Sequence, residues 1–207
     1  MSSLQSGRSM IEMLGVLAII GVLSVAGIAG YSKAMYKYRM NQTIDIVTEV
    51  VMNLYEITNK PLGTAGNEID TAQEMIDYGI FPDCQPVDDV WGDENRDCKL
   101  PVGQLWIDYS LSSVDQEFQH GRGEIMVTFT GPNRTQECID FASARWESIV
   151  PADMWPPYGF MKAGSNRVYS HEDSKFTYTQ AEIAEGCKTA CEADDYCSVY
   201  MAFHSAV

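Results

Sequence analysis

The feature that most constrains this chain is an uncharged apolar run close to its N-terminus, with one acidic residue directly before it. The run covers residues 13 to 31 inclusive, which is 19 residues, and that is long enough for a helix that spans a bilayer. Glu12 immediately precedes the run. A charged side chain in hydrocarbon costs about 2.5 kcal/mol or more on insertion scales, so it usually has a partner or a function. The sequence therefore predicts a helix built for a non-aqueous environment, with a specific use for Glu12.

Three other classes of N-terminal segment compete with this interpretation. A secretory signal peptide has a shorter apolar stretch and a small-x-small cleavage site, which Gly27 and Ala29 could form. The run is longer than that, and Glu12 would be out of place in it. A plain single-pass anchor has no use for Glu12 or for the four glycines of the segment. A lipoprotein is excluded because no cysteine precedes Cys84.

Charge is distributed unevenly along the chain. Residues 1–40 carry four Lys/Arg and one Glu, a net charge of +3. Residues 41–207 carry a net charge of −18, so the net charge of the whole chain is −15. The part that follows the apolar segment is therefore strongly acidic, which removes a bulk electrostatic reason to bind nucleic acid. A length of 207 residues suits one anchoring segment and one globular domain.

All cysteines follow the apolar run, and their number is even. In an exported domain, six cysteines predict three disulfides, for which 15 connectivities exist. A zinc site is the weaker interpretation, because the spacing Cys187-x3-Cys191-x5-Cys197 is not a usual zinc pattern. The cysteines are Cys84, Cys98, Cys138, Cys187, Cys191 and Cys197.

Hydrophobic periodicity predicts that one long helix continues beyond the apolar run. Ile44, Val47, Val51 and Leu54 recur at intervals of three and four and share one helix face. No proline occurs before Pro61, so a single helix from about Met10 to Asn59 is expected. Its first half would lie in lipid or in a filament core, and its second half would pack under a globular head.

The rest of the chain predicts an α+β fold, in which the long N-terminal helix packs on a small antiparallel sheet. Residues 157–175 are expected to form a loop or a short strand, and alternating apolar positions mark the strands. The predicted helices are Thr71–Tyr78, Arg134–Ile149 and Thr179–Ala190, and the predicted strands are Gly103–Leu111, Glu124–Thr130 and Ser198–Phe203.

The sequence offers little that resembles an active site, so neither an enzyme nor a cofactor or metal site is expected. The three histidines stand apart, and no phosphate-binding loop is recognisable. Asp93-x-Asn95-x-Asp97 is similar to the start of a calcium loop, but Cys98 stands where such a loop needs glycine, and Gln104 where it needs glutamate. The pattern favours a solvated loop closed by a disulfide. The four tryptophans are expected in an aromatic core rather than on a ligand surface.

Gly7, Glu12 and the apolar run together resemble the prepilin signature of the type IV pilin superfamily. The resemblance is closest to pilins of the PilS type, which form conjugative pili, and to related pilin-like proteins. It implies that a prepilin peptidase cuts between Gly7 and Arg8, that the freed N-terminus is methylated, and that Glu12 becomes the fifth mature residue. In that family the glutamate attracts the N-terminal amine of a neighbouring subunit. The implied divisions are a leader (1–7), an apolar helix (8–31), its amphipathic continuation (32–59) and a pilin head (60–207).

The same resemblance guides the cysteine pairing and the expected partners. It favours Cys138–Cys187, with Cys191–Cys197 and Cys84–Cys98, although exchanging Cys187 with Cys191 is nearly as good. The chain would self-associate into a helical filament with the help of the peptidase and inner-membrane assembly machinery. It would be a single-pass inner-membrane protein before assembly, and part of an extracellular pilus or a periplasmic pseudopilus afterwards. A minor pilin, a type II secretion pseudopilin and a membrane-anchored binding module remain as alternatives.

Overall fold

A computed structural model describes residues 10–58, 68–110, 122–146, 158–162, 178–192 and 195–204. Residue contacts divide the chain into two units, residues 1–39 and 40–207. The predicted leader and cleavage pair, Gly7 and Arg8, lie outside the described residues, as do Trp155 and the last part of the predicted helix Arg134–Ile149.

Helix α1 extends from Met10 to Thr58, 49 residues in all. These bounds agree with the predicted helix from about Met10 to Asn59, and they reflect the absence of proline from the segment. In the first unit every described side chain from residue 12 to residue 34 is exposed. Ser24 lies inside the apolar run, and its Oγ donates to the carbonyl of Ile20 at 2.7 Å. Its polar group is therefore satisfied within the helix.

The later part of α1 belongs to the second unit, the head. Val47, Val51 and Leu54 of the predicted apolar stripe are each at most 1% exposed, as is Val50, whereas Ile44 of the predicted stripe is half-buried. Thr43 is also fully buried. Its Oγ1 accepts from the backbone N–H of Val102 at 3.0 Å and so ties the helix to a loop of the head.

The helix packs on a small antiparallel sheet in which seven strands fall among the described residues. The strand order is β2-β3-β4-β5-β7-β6, with β1 paired to β4, and every pairing is antiparallel. The strands are β1 (Glu68–Ile69), β2 (Pro86–Val87), β3 (Asp97–Lys99), β4 (Gln104–Ser110), β5 (Arg122–Thr130), β6 (Tyr158–Lys162) and β7 (Tyr196–His204).

The register at the centre of the sheet places apolar side chains in rows. Val127 of β5 lies opposite Leu105 of β4 and Val199 of β7, and all three are fully buried. The one polar row at this level joins Thr128 to Ser198, whose hydroxyls are 2.8 Å apart. Because each hydroxyl has the other as its partner, the two buried polar groups do not carry an unsatisfied cost.

Among the described residues of the head, the shorter helices are α2 (Ala72–Asp77), α3 (Arg134–Ala142) and α4 (Gln180–Cys191). α2 and α4 each begin with a capping box, in which a threonine and a glutamate three residues later bond to each other's backbone N–H. The caps are Thr71 with Glu74 and Thr179 with Glu182. These caps fix both helix starts within one residue of the predicted positions.

The predicted helix from Arg134 to Ile149 is too long, because α3 ends at Ala142. Trp146 follows Cys138 and Ala142 at four-residue steps, which suggested one continuous face. Instead the chain turns after Ser143, and Trp146 folds back on Phe141, with ring centroids 4.9 Å apart. The Trp146 indole N–H donates to the Phe141 carbonyl at 3.1 Å. The tryptophan is fully buried without a continuous helix.

Strands β1, β2 and β3 were not predicted. Each has two or three residues, too few for an alternating pattern to be recognised. β2 and β3 lie inside the predicted solvated loop from Cys84 to Cys98 and pair with each other at Val87 and Asp97. The segment between these cysteines is therefore a structured edge of the sheet.

Candidate functional site

The first candidate site is the apolar half of α1. An 18-residue stretch of this helix has a mean hydropathy of 2.4, and none of that stretch is buried within the structure. This helix is long and apolar enough to cross a membrane. Most of the large exposed apolar side chains among the described residues lie here, from Met10 to Ile28. A contiguous exposed apolar surface of this kind marks an interaction site with lipid or protein.

Glu12 lies in the first turn of α1 and is exposed. A carboxylate there is favoured by the partial positive charge of the helix N-terminus, typically by 0.3–1 kcal/mol. It is the one acidic residue before Asp45. The structure thus presents a single negative charge at the start of an unpartnered apolar helix, and an opposite charge from another molecule could reach it.

The second feature of the site region is its set of three disulfides, Cys84–Cys98, Cys138–Cys187 and Cys191–Cys197. No free cysteine occurs among the described residues. Of the two arrangements left open above, the structure has Cys187 rather than Cys191 joined to Cys138. The first bridge closes the acidic segment at the sheet edge, and the other two tie α4 to α3 and to β7.

Three sulfur atoms from two of these bridges lie close together. The Sγ atoms of Cys138, Cys191 and Cys197 are all within 4.8 Å of one another and buried. Because each sulfur is bonded to another in a disulfide, none can offer the thiolate that a zinc site needs. This cluster therefore does not support the zinc interpretation in the oxidised protein.

A tight turn organises the acidic segment between the first pair of cysteines. Asp89 is almost fully buried, and its Oδ1 accepts from the backbone N–H groups of Trp91 (2.8 Å) and Asp93 (2.9 Å). Gly92 occupies the left-handed region at φ 95°, which favours glycine. Trp91 is therefore held on the surface, 51% exposed, with its ring edge-on to Tyr196 at 5.9 Å.

Arg96 is the positive centre of this segment. Its guanidinium lies 2.9 Å from Asp93, 3.4 Å from Asp70 and 3.8 Å from Asp89. Its carbon Cζ is 5.2 Å from the ring centroid of Trp106, within the range of a cation–π contact. One half-buried cation thus serves three carboxylates from two parts of the chain.

Asp97 is the residue of this segment that sequence reasoning placed wrongly, because it is 1% exposed rather than solvated. Burial, and then the nearby charge of Asp89, raises the pKa of Asp97 from 3.8 to about 7, while Arg96 acts in the opposite direction. Neither of its carboxylate oxygens accepts a hydrogen bond from the described residues. Alternation gave no signal for this burial, since β3 has only three residues.

A cavity of about 360 Å³ lies in the head, between α1 and the loops on either side of β2 and β3. Its apolar lining includes Ile46, Val50 and Phe81, and charged groups such as Glu49 and Lys99 also border it. Its size is at the lower end for small-molecule sites. The cavity could not be predicted from the sequence, because its lining comes from three separate segments.

The predicted tryptophan core is confirmed for two of the four residues. Trp106 and Trp146 are at most 2% exposed, whereas Trp91 lies on the surface.

Comparison with protein-family models, with curated proteins and with solved structures returned no match for this chain.

Proposed function

We propose that this protein is a structural subunit of a type IV pilus-like filament, assembled through its N-terminal helix. The observation that carries the proposal is the exposed apolar half of α1 with Glu12 in its first turn. The α+β head with three disulfides is compatible with a pilin and with an oxidising compartment outside the cytoplasm.

In this mechanism the apolar helix first anchors the precursor in the inner membrane as a single span. Cleavage between Gly7 and Arg8 frees an α-amino group. Glu12 of one subunit then attracts the amine of its neighbour while the apolar helices pack together. Each charge offsets the cost of removing the other from water, and the small residues Gly15 and Gly21 allow close approach of helices.

The experiment compares Glu12→Gln with a matched variant, Glu56→Gln, in a host that has a prepilin peptidase. Glu56 is an exposed acidic residue of the same helix, so both variants remove one negative charge from α1. Glu12→Gln should leave expression and membrane insertion intact but abolish or sharply reduce sheared filaments, counted by electron microscopy. Glu56→Gln should assemble normally.

Mass spectrometry of the filament subunit should show Arg8 at the N-terminus. Normal filament yield from Glu12→Gln, or a mature N-terminus at Gly30, would falsify the proposed assembly mechanism.

The cavity favours a second candidate function, a membrane-anchored binding module that uses α1 only as an anchor. In that case Glu12→Gln should change nothing, and a ligand should protect Lys99 at the cavity border from amine modification.

The copy number of the chain in purified filaments separates a major subunit from a minor pilin or a pseudopilin.

A further inference from the structure

Three buried side-chain oxygens in the head accept no hydrogen bond from the residues that the structure describes: Oδ2 of Asp89 and both oxygens of Asp97. Asp89 is 6% exposed and Asp97 is 1% exposed. An unsatisfied buried polar group destabilises the folded state, and a charged one does so more strongly. All three atoms are acceptors, so the site needs a donor or a positive charge.

Arg96 does not meet this need. Its closest carboxylate partners are Asp93 and Asp70, and its contact with Asp89 is longer, at 3.8 Å. Asp97 belongs to none of the ion pairs found within 4.0 Å among the described residues. Three carboxylates therefore share one guanidinium, and the more deeply buried Asp97 has no direct partner.

A proton and a metal ion satisfy such a group differently. A proton on one oxygen of Asp97 could be donated to Oδ2 of Asp89, and the second oxygen of Asp97 would remain without a partner. A cation that lies between the two residues could be bound by oxygens of both. A set of ligands made of carboxylate oxygens alone is the type that hard cations prefer, and Ca²⁺ tolerates irregular geometry with carbonyl and water ligands completing six to eight.

The surrounding turn prepares Asp89 for this role. Because two backbone N–H groups hold its Oδ1, the orientation of Oδ2 is fixed before a ligand arrives. The segment is also closed by the Cys84–Cys98 bridge.

We propose that Asp89 and Asp97 form a Ca²⁺ site at the edge of the sheet. This differs from the calcium-loop pattern considered above, because the ligands come from both ends of a turn rather than from alternating residues. The site is independent of the filament function. Extracellular modules bind Ca²⁺ with Kd on the order of 10⁻⁴–10⁻³ M, and that is the expected affinity here.

The test uses the full chain in detergent, treated with a chelator and then titrated with Ca²⁺ alone. Equilibrium dialysis should find one saturable site, and Ca²⁺ at about 50-fold above Kd should raise Tm by about 5 °C over the chelator-treated protein. Asp97→Asn should remove this response. Glu94→Gln, which removes an exposed charge from the same segment, should keep it and so controls for non-specific attraction to an acidic protein.

The outcomes separate metal binding from protonation. If Ca²⁺ leaves the Tm of the unsubstituted chain unchanged, Asp97 binds no cation and the proposal is wrong. A Tm that is then also the same in Asp97→Asn would identify Asp97 as a buried protonated acid. An equal loss of response in Asp97→Asn and Glu94→Gln would also overturn it. Should Asp97→Asn fail to fold, the comparison of the unsubstituted chain with and without Ca²⁺ still decides.

Discussion

Removing the Cys138–Cys187 disulfide should destabilise the head more than removing Cys191–Cys197. The first bridge joins residues 49 positions apart and the second residues 6 positions apart. In the chain-entropy model these loops correspond to about 4 and about 2 kcal/mol, respectively. All four cysteines are at most 1% exposed, so paired Cys→Ala substitutions remove similar buried sulfur in both variants. The difference between them then reports mainly on loop closure.

The assay is thermal unfolding of the full chain in detergent under oxidising conditions, followed by near-UV circular dichroism. For a protein of this size, 1 kcal/mol shifts Tm by about 2–4 °C, so the losses should be about 8–16 °C and about 4–8 °C. Peptide mapping of each variant checks that the two remaining bridges are intact. A larger loss for the Cys191–Cys197 variant would refute the reasoning, because local packing of the sulfur cluster would then outweigh loop closure.

Three further predictions concern single residues of the head. Gly103→Ala should lower Tm markedly, because Gly103 has φ 87° and an added Cβ would lie 2.7 Å from the carbonyl oxygen of Thr128. Gly79→Ala is the control for the positive φ alone, since Gly79 has φ 72° with open space around it. Thr71→Ala should cost about 1 kcal/mol through loss of the helix cap, whereas Thr71→Ser should restore it in the same melting assay. In chelator-treated protein, burial raises the pKa of Asp97 from 3.8 to about 7. The stability that the protonated side chain contributes is therefore complete below pH 3.8 and is lost as pH rises through 7. The free energy of unfolding should therefore fall with pH by up to about 4 kcal/mol relative to Asp97→Asn, and parallel denaturant curves of the two proteins from pH 4 to pH 8 would contradict this.

The sequence carries enough information to predict the elements whose patterns are long. α1 has 49 residues without proline, and β4 and β5 have seven and nine residues, so their periodicity is repeated several times. The start of α4 is readable from Thr179 because its cap is local in sequence. For such elements, local chemistry and tertiary structure agree.

The remaining features depend on contacts between distant residues. β3 is defined by its neighbours β2 and β4 rather than by its three residues. The end of α3 depends on the contact between Trp146 and Phe141, whereas the four-residue steps from Cys138 to Ala142 and Trp146 predict a longer helix. The burial of Asp97 follows from its place in β3 and runs against the ordinary preference of aspartate for water. The candidate Ca²⁺ site could not be predicted for the same reason.

The close approach of three sulfurs has a consequence for how the protein matures. Cys191 and Cys138 belong to different bridges, yet their Sγ atoms lie within 4.8 Å, so a thiolate on either one can attack the other's disulfide. Oxidation alone therefore does not select the native partners. The native cysteine pairs are selected by the folded elements around them. The β-sheet holds Cys197 opposite Phe129, and α4 places Cys187 and Cys191 one turn apart on one face. With the export proposed above, the chain should therefore need a disulfide isomerase, and strains that lack one should accumulate scrambled monomers with the Cys138–Cys191 bridge.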